Sequence, residues 1–138
     1  MSDSPNIIPM LAYQDGVKAL EWLVDVFGFT ERERYVDDHG VLQHGEIELD
    51  GGIVMLATPT PDYESPKTHR EHCEKMRTWS QVPWVIDGVA VYVDDLENHF
   101  NKVKAAGARI LTEIETGPPG DRYRVEDLEG HRWFFFQK

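Results

Sequence analysis

The chain has 138 residues and a formal net charge of −11 at pH 7, from 14 Lys and Arg against 25 Asp and Glu. This charge argues against nucleic acid and an anionic membrane as partners, because both would repel the protein. The single cysteine, Cys73, excludes an internal disulfide and fits a reducing cytoplasm. The sequence shows neither a signal-peptide pattern nor an apolar run long enough to span a bilayer. We therefore expect one cytoplasmic domain over residues 1–138.

The first part of the chain, approximately residues 6–58, is predicted to form a strand, a helix and three further strands. Asp15 is a suitable N-cap, and Gly28 stands where a helix ends in the left-handed conformation. Apolar residues at helical spacing predict the buried stripe of this helix: Val17, Leu20, Leu23, Val24 and Phe27. Apolar runs bounded by turn residues predict the strands 7–13, 29–36, 42–49 and 53–58.

Residues 59–85 form an insert between the two similar parts of the chain. The insert contains Trp79 and Trp84 near its end, and we expect one or two helical turns within 69–77. A loop of this length usually acts as a lid, contacts a partner or is mobile. We interpret the two tryptophans either as a lid over a binding site or as anchors of the loop or of a dimer contact.

The last part of the chain, approximately residues 86–138, repeats the order of the first. Its helix is predicted to be capped by Asp94 or Asp95 and to end at Gly107. Its buried stripe is Leu96, Phe100 and Val103. The predicted strands are 87–94, 108–115, 121–126 and 132–137, with a tight turn at 127–130. The final strand is strongly aromatic, so we expect it to be covered on both faces.

A constant offset relates the two parts. Subtracting 79 from Gly130 gives Gly51, and the same step takes Phe134 to Met55. Upstream it sets Tyr92 on Tyr13, Asp94 on Asp15, Val103 on Val24 and Gly107 on Gly28. A register that holds across four separate elements predicts an internal duplication.

Three motifs, taken with this duplicated order, carry a family resemblance. They are Val-Tyr-Val-Asp-Asp at 91–95, Ala-Ala-Gly-Ala at 105–108, and Gly-Asp-Arg-Tyr followed by Glu-Asp-Leu-Glu-Gly-His-Arg-Trp at 120–133. Together they resemble the vicinal oxygen chelate superfamily, in its glyoxalase/bleomycin-resistance-like branch. The resemblance implies an α+β fold in which two tandem βαβββ modules form curved mixed sheets around a concave cup, with helices outside. It also implies a homodimer, and it leaves function open among lyases, dioxygenases, thiol transferases and binding proteins.

Metal enzymes of the superfamily take His, Gln or Glu ligands from the first and last strands of each half. The corresponding positions here are Pro9, Met55, Gly88 and Phe134, and none carries such a donor. A slip of one residue would add only Asp87. We therefore expect the usual metal site to be absent, and we assign neither a metal nor a cofactor.

Strand alternation predicts a mostly apolar lining of the cup: Pro9, Leu11, Tyr13, Ile53, Met55, Ala90, Tyr92 and Phe134. Such a surface suits a hydrophobic or aromatic ligand. The alternative is that these side chains simply fill the concave side of the sheet.

One strand is polar on a single side. His44, Glu46 and Glu48 alternate with Gly45, Ile47 and Leu49, and the apolar set is expected to meet the helix. The polar set would then point into the cup. It could bind the polar end of a ligand, act as an acid–base pair, supply two-thirds of an unconventional metal site, or be a solvated strand face.

Two weaker candidates complete the set. His69, His72 and Cys73 could bind zinc only with a ligand from elsewhere. Either Arg122 or Arg124 could pair with Glu46 or with an anionic substrate, although an exposed ion pair is the default.

Three functional hypotheses follow. The first is a metal-independent protein that binds a small hydrophobic or aromatic molecule, similar to bleomycin resistance proteins. The second is a lyase- or dioxygenase-type enzyme that uses a displaced metal or an acid–base site around His44 and Glu46. The third is a protein-interaction module that uses residues 59–85. We favour the first and assign no catalytic residue; the predicted ligand-binding residues are His44, Glu46, Met55, Tyr92, Arg122 and Phe134.

Overall fold

The structure, a computed structural model, describes residues 5–85 and 87–138. Residue 86, the predicted start of the second module, lies outside these ranges. The chain divides into two compact units, Met1–Ser65 and Pro66–Lys138. The greater part of the insert thus belongs with the second unit. Within the described residues, no helix has the length and apolar character needed to cross a membrane.

The first unit is a four-stranded mixed sheet with one helical segment. Strand order is β1-β4-β3-β2, with β1 parallel to β4 and the other pairs antiparallel. The elements are β1 (Met10–Ala12), α1 (Gly16–Trp22), a π-helical turn (Leu23–Phe27), β2 (Thr30–Val36), β3 (Leu42–Leu49) and β4 (Gly52–Ala57).

The helical segment of the first unit starts and ends as its sequence predicts. The Asp15 carboxylate accepts a hydrogen bond from the Lys18 backbone nitrogen at 3.1 Å, and Gly28 has φ 87°. The predicted buried stripe is correct at three of its members, but Val17 and Val24 are only half-buried. Val26 is buried instead, because a π turn holds more residues than an α turn and rotates those that follow it.

The second unit repeats this architecture and adds two short helices at its start. Strand order is β5-β8-β7-β6, with β5 parallel to β8. The elements are α2 (Pro66–His72), α3 (Glu74–Trp79), β5 (Gly88–Val93), α4 (Leu96–Ala105), β6 (Arg109–Glu115), β7 (Arg122–Glu126) and β8 (Arg132–Gln137). Asp95, rather than Asp94, caps α4 by accepting from the Asn98 backbone nitrogen at 3.0 Å. The predicted stripe of Leu96, Phe100 and Val103 is buried.

Each sheet has a face that carries its own helix, the helix face, and an opposite side, the open face. In the first unit, a Cβ added at Gly45 would lie 2.8 Å from Cδ1 of Leu20 on α1, so Gly45 marks the helix face. In the second, the Tyr123 ring lies 5.0 Å from the ring of Phe100 on α4, so Tyr123 marks the helix face. The neighbours of Gly45 in β3 and of Tyr123 in β7 therefore point to the open faces.

The α+β fold of two tandem βαβββ modules is confirmed. One detail of the expected burial is wrong. Strand β8 is central, between β5 and β7, and Trp133 and Phe135 on its helix face are fully buried. Phe134 and Phe136 on its open face are only half-buried, so the open side of the strand is fully covered only at Arg132.

Candidate functional site

The open face of the first unit carries a polar cluster. His44 and Glu46 are two residues apart on β3, and Glu33 of β2 lies directly opposite Glu46 in the strand register. The Nε2 atom of His44 is 2.7 Å from Oε2 of Glu46 and 3.9 Å from Oε2 of Glu33. Although charged, Glu46 is only 8% exposed. His44 and Glu46 therefore point away from the helix, as the alternation predicts. Glu33 joins them, although the sequence did not indicate it.

A bulge in β2 explains why that third member was missed. The pairing shifts between Glu31 and Glu33, which leaves Arg32 as the extra residue of the bulge. Nε of Arg32 lies 3.2 Å from Oε1 of Glu46. Two consecutive residues of β2, Arg32 and Glu33, thus lie beside the His44–Glu46 pair of β3. Simple alternation along β2 would have placed them on opposite faces.

This arrangement has two chemical possibilities. One nitrogen and two carboxylate oxygens from Glu33, His44 and Glu46 lie within 4.8 Å of one another, a donor set that could hold a metal ion. Alternatively, Glu46 orients the His44 ring for proton transfer, since a carboxylate that accepts from one ring nitrogen fixes the tautomer. The predicted His69, His72 and Cys73 group is not gathered in this way among residues 5–85 and 87–138.

The predicted apolar lining is partly wrong in the first unit. Met10 pairs with Met55, and Met55 pairs with Glu46, so these methionines share the open face with the polar cluster. Leu11 instead pairs with Leu56 on the helix face, and Tyr13 is fully buried. The side chains of β1 therefore alternate in the opposite sense from the one expected: Met10 lies on the open face and Leu11 on the helix face. Met10, which the sequence analysis missed, is 76% exposed.

The open face of the second unit carries an aromatic surface, formed by Tyr92, Phe134 and Phe136. Tyr92 pairs with Phe136 in the register, and their rings stack with centroids 5.3 Å apart and an interplanar angle of 25°. The Arg124 guanidinium lies over the Phe134 ring at 5.6 Å. Tyr92 nevertheless remains 52% exposed. The predicted Tyr92 and Phe134 thus lie together, and Phe136, two residues beyond Phe134, could have been found from the same alternation.

Two arginines border the aromatic surface. Arg122 and Arg124 both pair with Glu115 of β6, and Arg122 also donates to the Gly120 carbonyl oxygen at 3.0 Å. Within its own unit Arg122 is thus paired with Glu115, and within the first unit Glu46 is paired with Arg32 and His44.

Polar contacts of buried side chains hold the insert. Arg132 donates to the carbonyl oxygens of Ser80, Val82 and Val85, and the buried Glu126 accepts from Arg70 at 2.9 Å. Trp79 and Trp84 are 51% and 67% exposed. Each ring thus leaves half or more of its surface exposed.

The positions of the superfamily's usual metal ligands do not fit a metal. Met55 and Phe134 offer no nitrogen or carboxylate donor, and Gly88 has no side chain. A Cβ at Gly88 would lie 3.1 Å from Cζ of Phe134, so the phenyl ring fills the space that a ligand side chain there would need.

The sequence profile of the Glyoxalase/Bleomycin resistance protein/Dioxygenase superfamily matches residues 9–135. The chain belongs to this superfamily. TioX from Micromonospora sp. ML1 superposes with a TM-score of 0.70 at 34% identity, covering 97% of this chain and 98% of that one. TnmS3, an antibiotic binding protein from Streptomyces sp. CB03234, superposes with a TM-score of 0.68 over 99% and 98% of the two chains. Its identity is 16%, which shows the common fold alone.

The chain also has a sequence relative of comparable extent. An uncharacterized protein of Mycobacterium bovis is 29% identical over 134 residues, which is 94% of this chain and 80% of that protein. The superfamily match and the similarity to this relative both extend over nearly the whole chain.

Proposed function

We propose that this protein binds a small hydrophobic or aromatic molecule on the aromatic surface of the second unit, without the superfamily's usual metal. The observation that carries the proposal is the Tyr92–Phe136 stack. Phe136 is half-buried against the sheet, whereas Tyr92 keeps half of its surface exposed. A planar ligand that stacks on Tyr92 would bury apolar area and add an aromatic contact of about 0.5–1.5 kcal/mol.

The surroundings of the aromatic surface favour binding over simple packing. Arg122 and Arg124 are largely buried, and both lie next to the single carboxylate of Glu115. They offer guanidinium donors beside an apolar patch, which is the usual combination in small-molecule sites. TnmS3 is described as an antibiotic binding protein, and its shared fold supports a small molecule as the class of ligand.

On the first unit, we propose that His44, Glu46 and Met55 form a second, more polar ligand-contacting face. Its apolar part is Met55 beside the exposed Met10, and its polar part is the His44–Glu46 pair. Methionine side chains adapt to ligands of irregular shape. This face suits the polar groups of a ligand better than its rings.

A melting-shift screen of neutral and anionic aromatic compounds tests the proposed function. Hits should be titrated by calorimetry into the wild type, Tyr92→Ala and Trp84→Ala. The two variants remove exposed aromatic side chains of the same unit, but only Tyr92 belongs to the aromatic surface. We expect Tyr92→Ala to weaken binding about tenfold or more and Trp84→Ala to leave it unchanged. Equal affinity of hits for wild type and Tyr92→Ala would contradict the proposal.

An enzyme of lyase or dioxygenase type is the second candidate. The 2.7 Å contact between His44 and Glu46 favours it, because a carboxylate-oriented imidazole is a common general base. Turnover of a small-molecule substrate that is lost in His44→Ala and Glu46→Gln, with retained circular dichroism, would support this candidate over binding alone.

Assembly and location complete the proposal. A homodimer is expected from membership of the superfamily, and equilibrium sedimentation tests it. A cytoplasmic location is expected from the single Cys73, and fractionation of the cells that make the protein tests it.

A further inference from the structure

The Glu33–Glu46 pair is unfavourable as it stands. The two carboxylates are direct cross-strand partners on one face of an antiparallel pair. Like charges in this position repel, and the repulsion is strongest where water is scarce. Glu46 has only 11% of its side chain exposed, so solvent screens it poorly.

Arg32 offsets only part of this charge. Its Nε contacts Oε1 of Glu46, which leaves Oε2 directed at the Nε2 atom of His44. Oε2 of Glu33 approaches the same nitrogen from β2. Three donor atoms from three side chains therefore converge on one point, and the Arg32 contact holds Glu46 in the orientation that makes them converge.

We infer that Glu33, His44 and Glu46 form a binding site for one divalent first-row transition metal ion. Ligand atoms about 2 Å from such an ion lie roughly 3 to 3.5 Å apart. The His44 nitrogen is 2.7 Å and 3.9 Å from the two carboxylate oxygens, and all three ligand atoms lie within 4.8 Å of one another, so side-chain adjustments bring them to this spacing. The Glu33 side chain is 42% exposed and is able to make the larger of them.

The donor set indicates the class of ion. One imidazole with two carboxylates suits Zn²⁺, Co²⁺, Ni²⁺, Mn²⁺ or Fe²⁺, whereas Ca²⁺ and Mg²⁺ favour oxygen ligands alone and Cu⁺ favours sulfur. Three protein ligands leave at least one position for water or a ligand atom. Arg32 then acts as a positioning residue, because it fixes Glu46 without touching the ion.

The strands that carry this site are not the strands that carry the superfamily's usual metal site. Its residues lie on β2 and β3, whereas the expected positions Met55 and Phe134 lie on β4 and β8. It shares His44 and Glu46 with the polar face proposed above, but it does not depend on binding at the aromatic surface, which belongs to the other unit.

The test is calorimetric titration of Zn²⁺ into tag-free full-length protein after chelator treatment, with visible absorption of Co²⁺ as a second readout. The variants are His44→Ala and Glu33→Gln. The matched control is Glu48→Gln, which removes the same charge from the same face of β3. His69→Ala controls for metal binding by the insert.

We expect one Zn²⁺ per chain in the wild type, with affinity lowered about tenfold or more in His44→Ala and in Glu33→Gln. Glu48→Gln and His69→Ala should bind as the wild type does. The inference is overturned by a wild type that binds no Zn²⁺, by unchanged affinity in both ligand variants, or by a loss in His69→Ala instead. If His44→Ala does not fold, the half-exposed Glu33 still decides the outcome through Glu33→Gln.

Discussion

The Lys67 backbone nitrogen donates a 3.0 Å hydrogen bond to the carbonyl oxygen of Glu129. This contact joins the first turn of α2 to the turn between β7 and β8. It is possible because the next residue is Gly130, with φ 92°, where a Cβ would lie 2.7 Å from the Lys67 nitrogen. Gly130 is therefore needed for backbone conformation and also for the close approach of the insert.

Gly130→Ala should be more destabilising than Gly51→Ala. Both glycines are left-handed, with φ 92° and 86°, so each alanine costs about 1–2 kcal/mol in conformation. Nothing lies within 4 Å of a Cβ at Gly51. At Gly130 the clash with the Lys67 backbone should cost roughly 1–3 kcal/mol more. Urea unfolding of both variants gives the comparison, and equal losses would mean that the insert does not approach this turn.

Glu126→Gln should lower the free energy of unfolding by about 3 kcal/mol. Glu126 is 2% exposed and accepts from Arg132, whose guanidinium is fully buried, at 3.2 Å. Burial lowers the pKa of Arg132, which shows that its charge is poorly solvated and depends on this carboxylate.

Arg109→Gln is the matched control for that measurement. Arg109 also lies 3.2 Å from Glu126, but its side chain is 49% exposed. Its loss should cost less than about 1 kcal/mol, because water compensates an exposed partner. If Arg109→Gln lowered the free energy of unfolding more than Glu126→Gln does, the claim that the buried Glu126 carboxylate is needed to stabilise Arg132 would be contradicted.

Tyr123 should resist ionisation until the protein unfolds. Its hydroxyl lies 2.6 Å from Nδ1 of His99, and burial strongly raises its pKa. A raised pKa gives stability that is fully present below the ordinary value of 10.0 and is lost as pH rises above it. In an alkaline titration followed by tyrosinate absorbance, wild type and Tyr123→Phe should coincide before unfolding. A smaller rise in Tyr123→Phe over that range would show that the Tyr123 hydroxyl titrates in the folded protein.

Asp95→Ala should destabilise the protein by about 1 kcal/mol, because Asp95 caps α4. Asp94→Ala should change stability by less than about 0.5 kcal/mol, since the Asp94 side chain is 81% exposed. Thermal melts of the two neighbouring variants separate these roles. Equal effects would mean that the cap is shared.

The internal duplication was predictable, but its register was not. The structural caps Asp15 and Asp95 are 80 residues apart, whereas the C-terminal Gly28 and Gly107 are 79 apart. The π-helical turn after α1 accommodates the additional residue of the first unit. Apolar spacing and cap residues predict a helix, but they do not predict how one extra residue is absorbed.

A shift of one residue explains the error in β1, and a bulge explains the residue that was missed in β2. Tyr13 and Tyr92 were aligned by the offset of 79, yet Tyr13 is buried and Tyr92 is 52% exposed. Alternation assigned the faces correctly in β3 and β8, where glycine and aromatic patterns are strong. It failed in β1, which has only three residues, and it missed Glu33, which a bulge brings to Glu46.

The most direct test of the proposed binding function is a map of backbone amide chemical shifts, recorded while the strongest hit of the aromatic screen is added to isotope-labelled protein. Binding on the aromatic surface predicts that the largest changes fall on Tyr92, Arg124, Phe134 and Phe136. Changes confined to the helix-face residues Tyr123 and Phe135, to the insert, or to the first unit would contradict it.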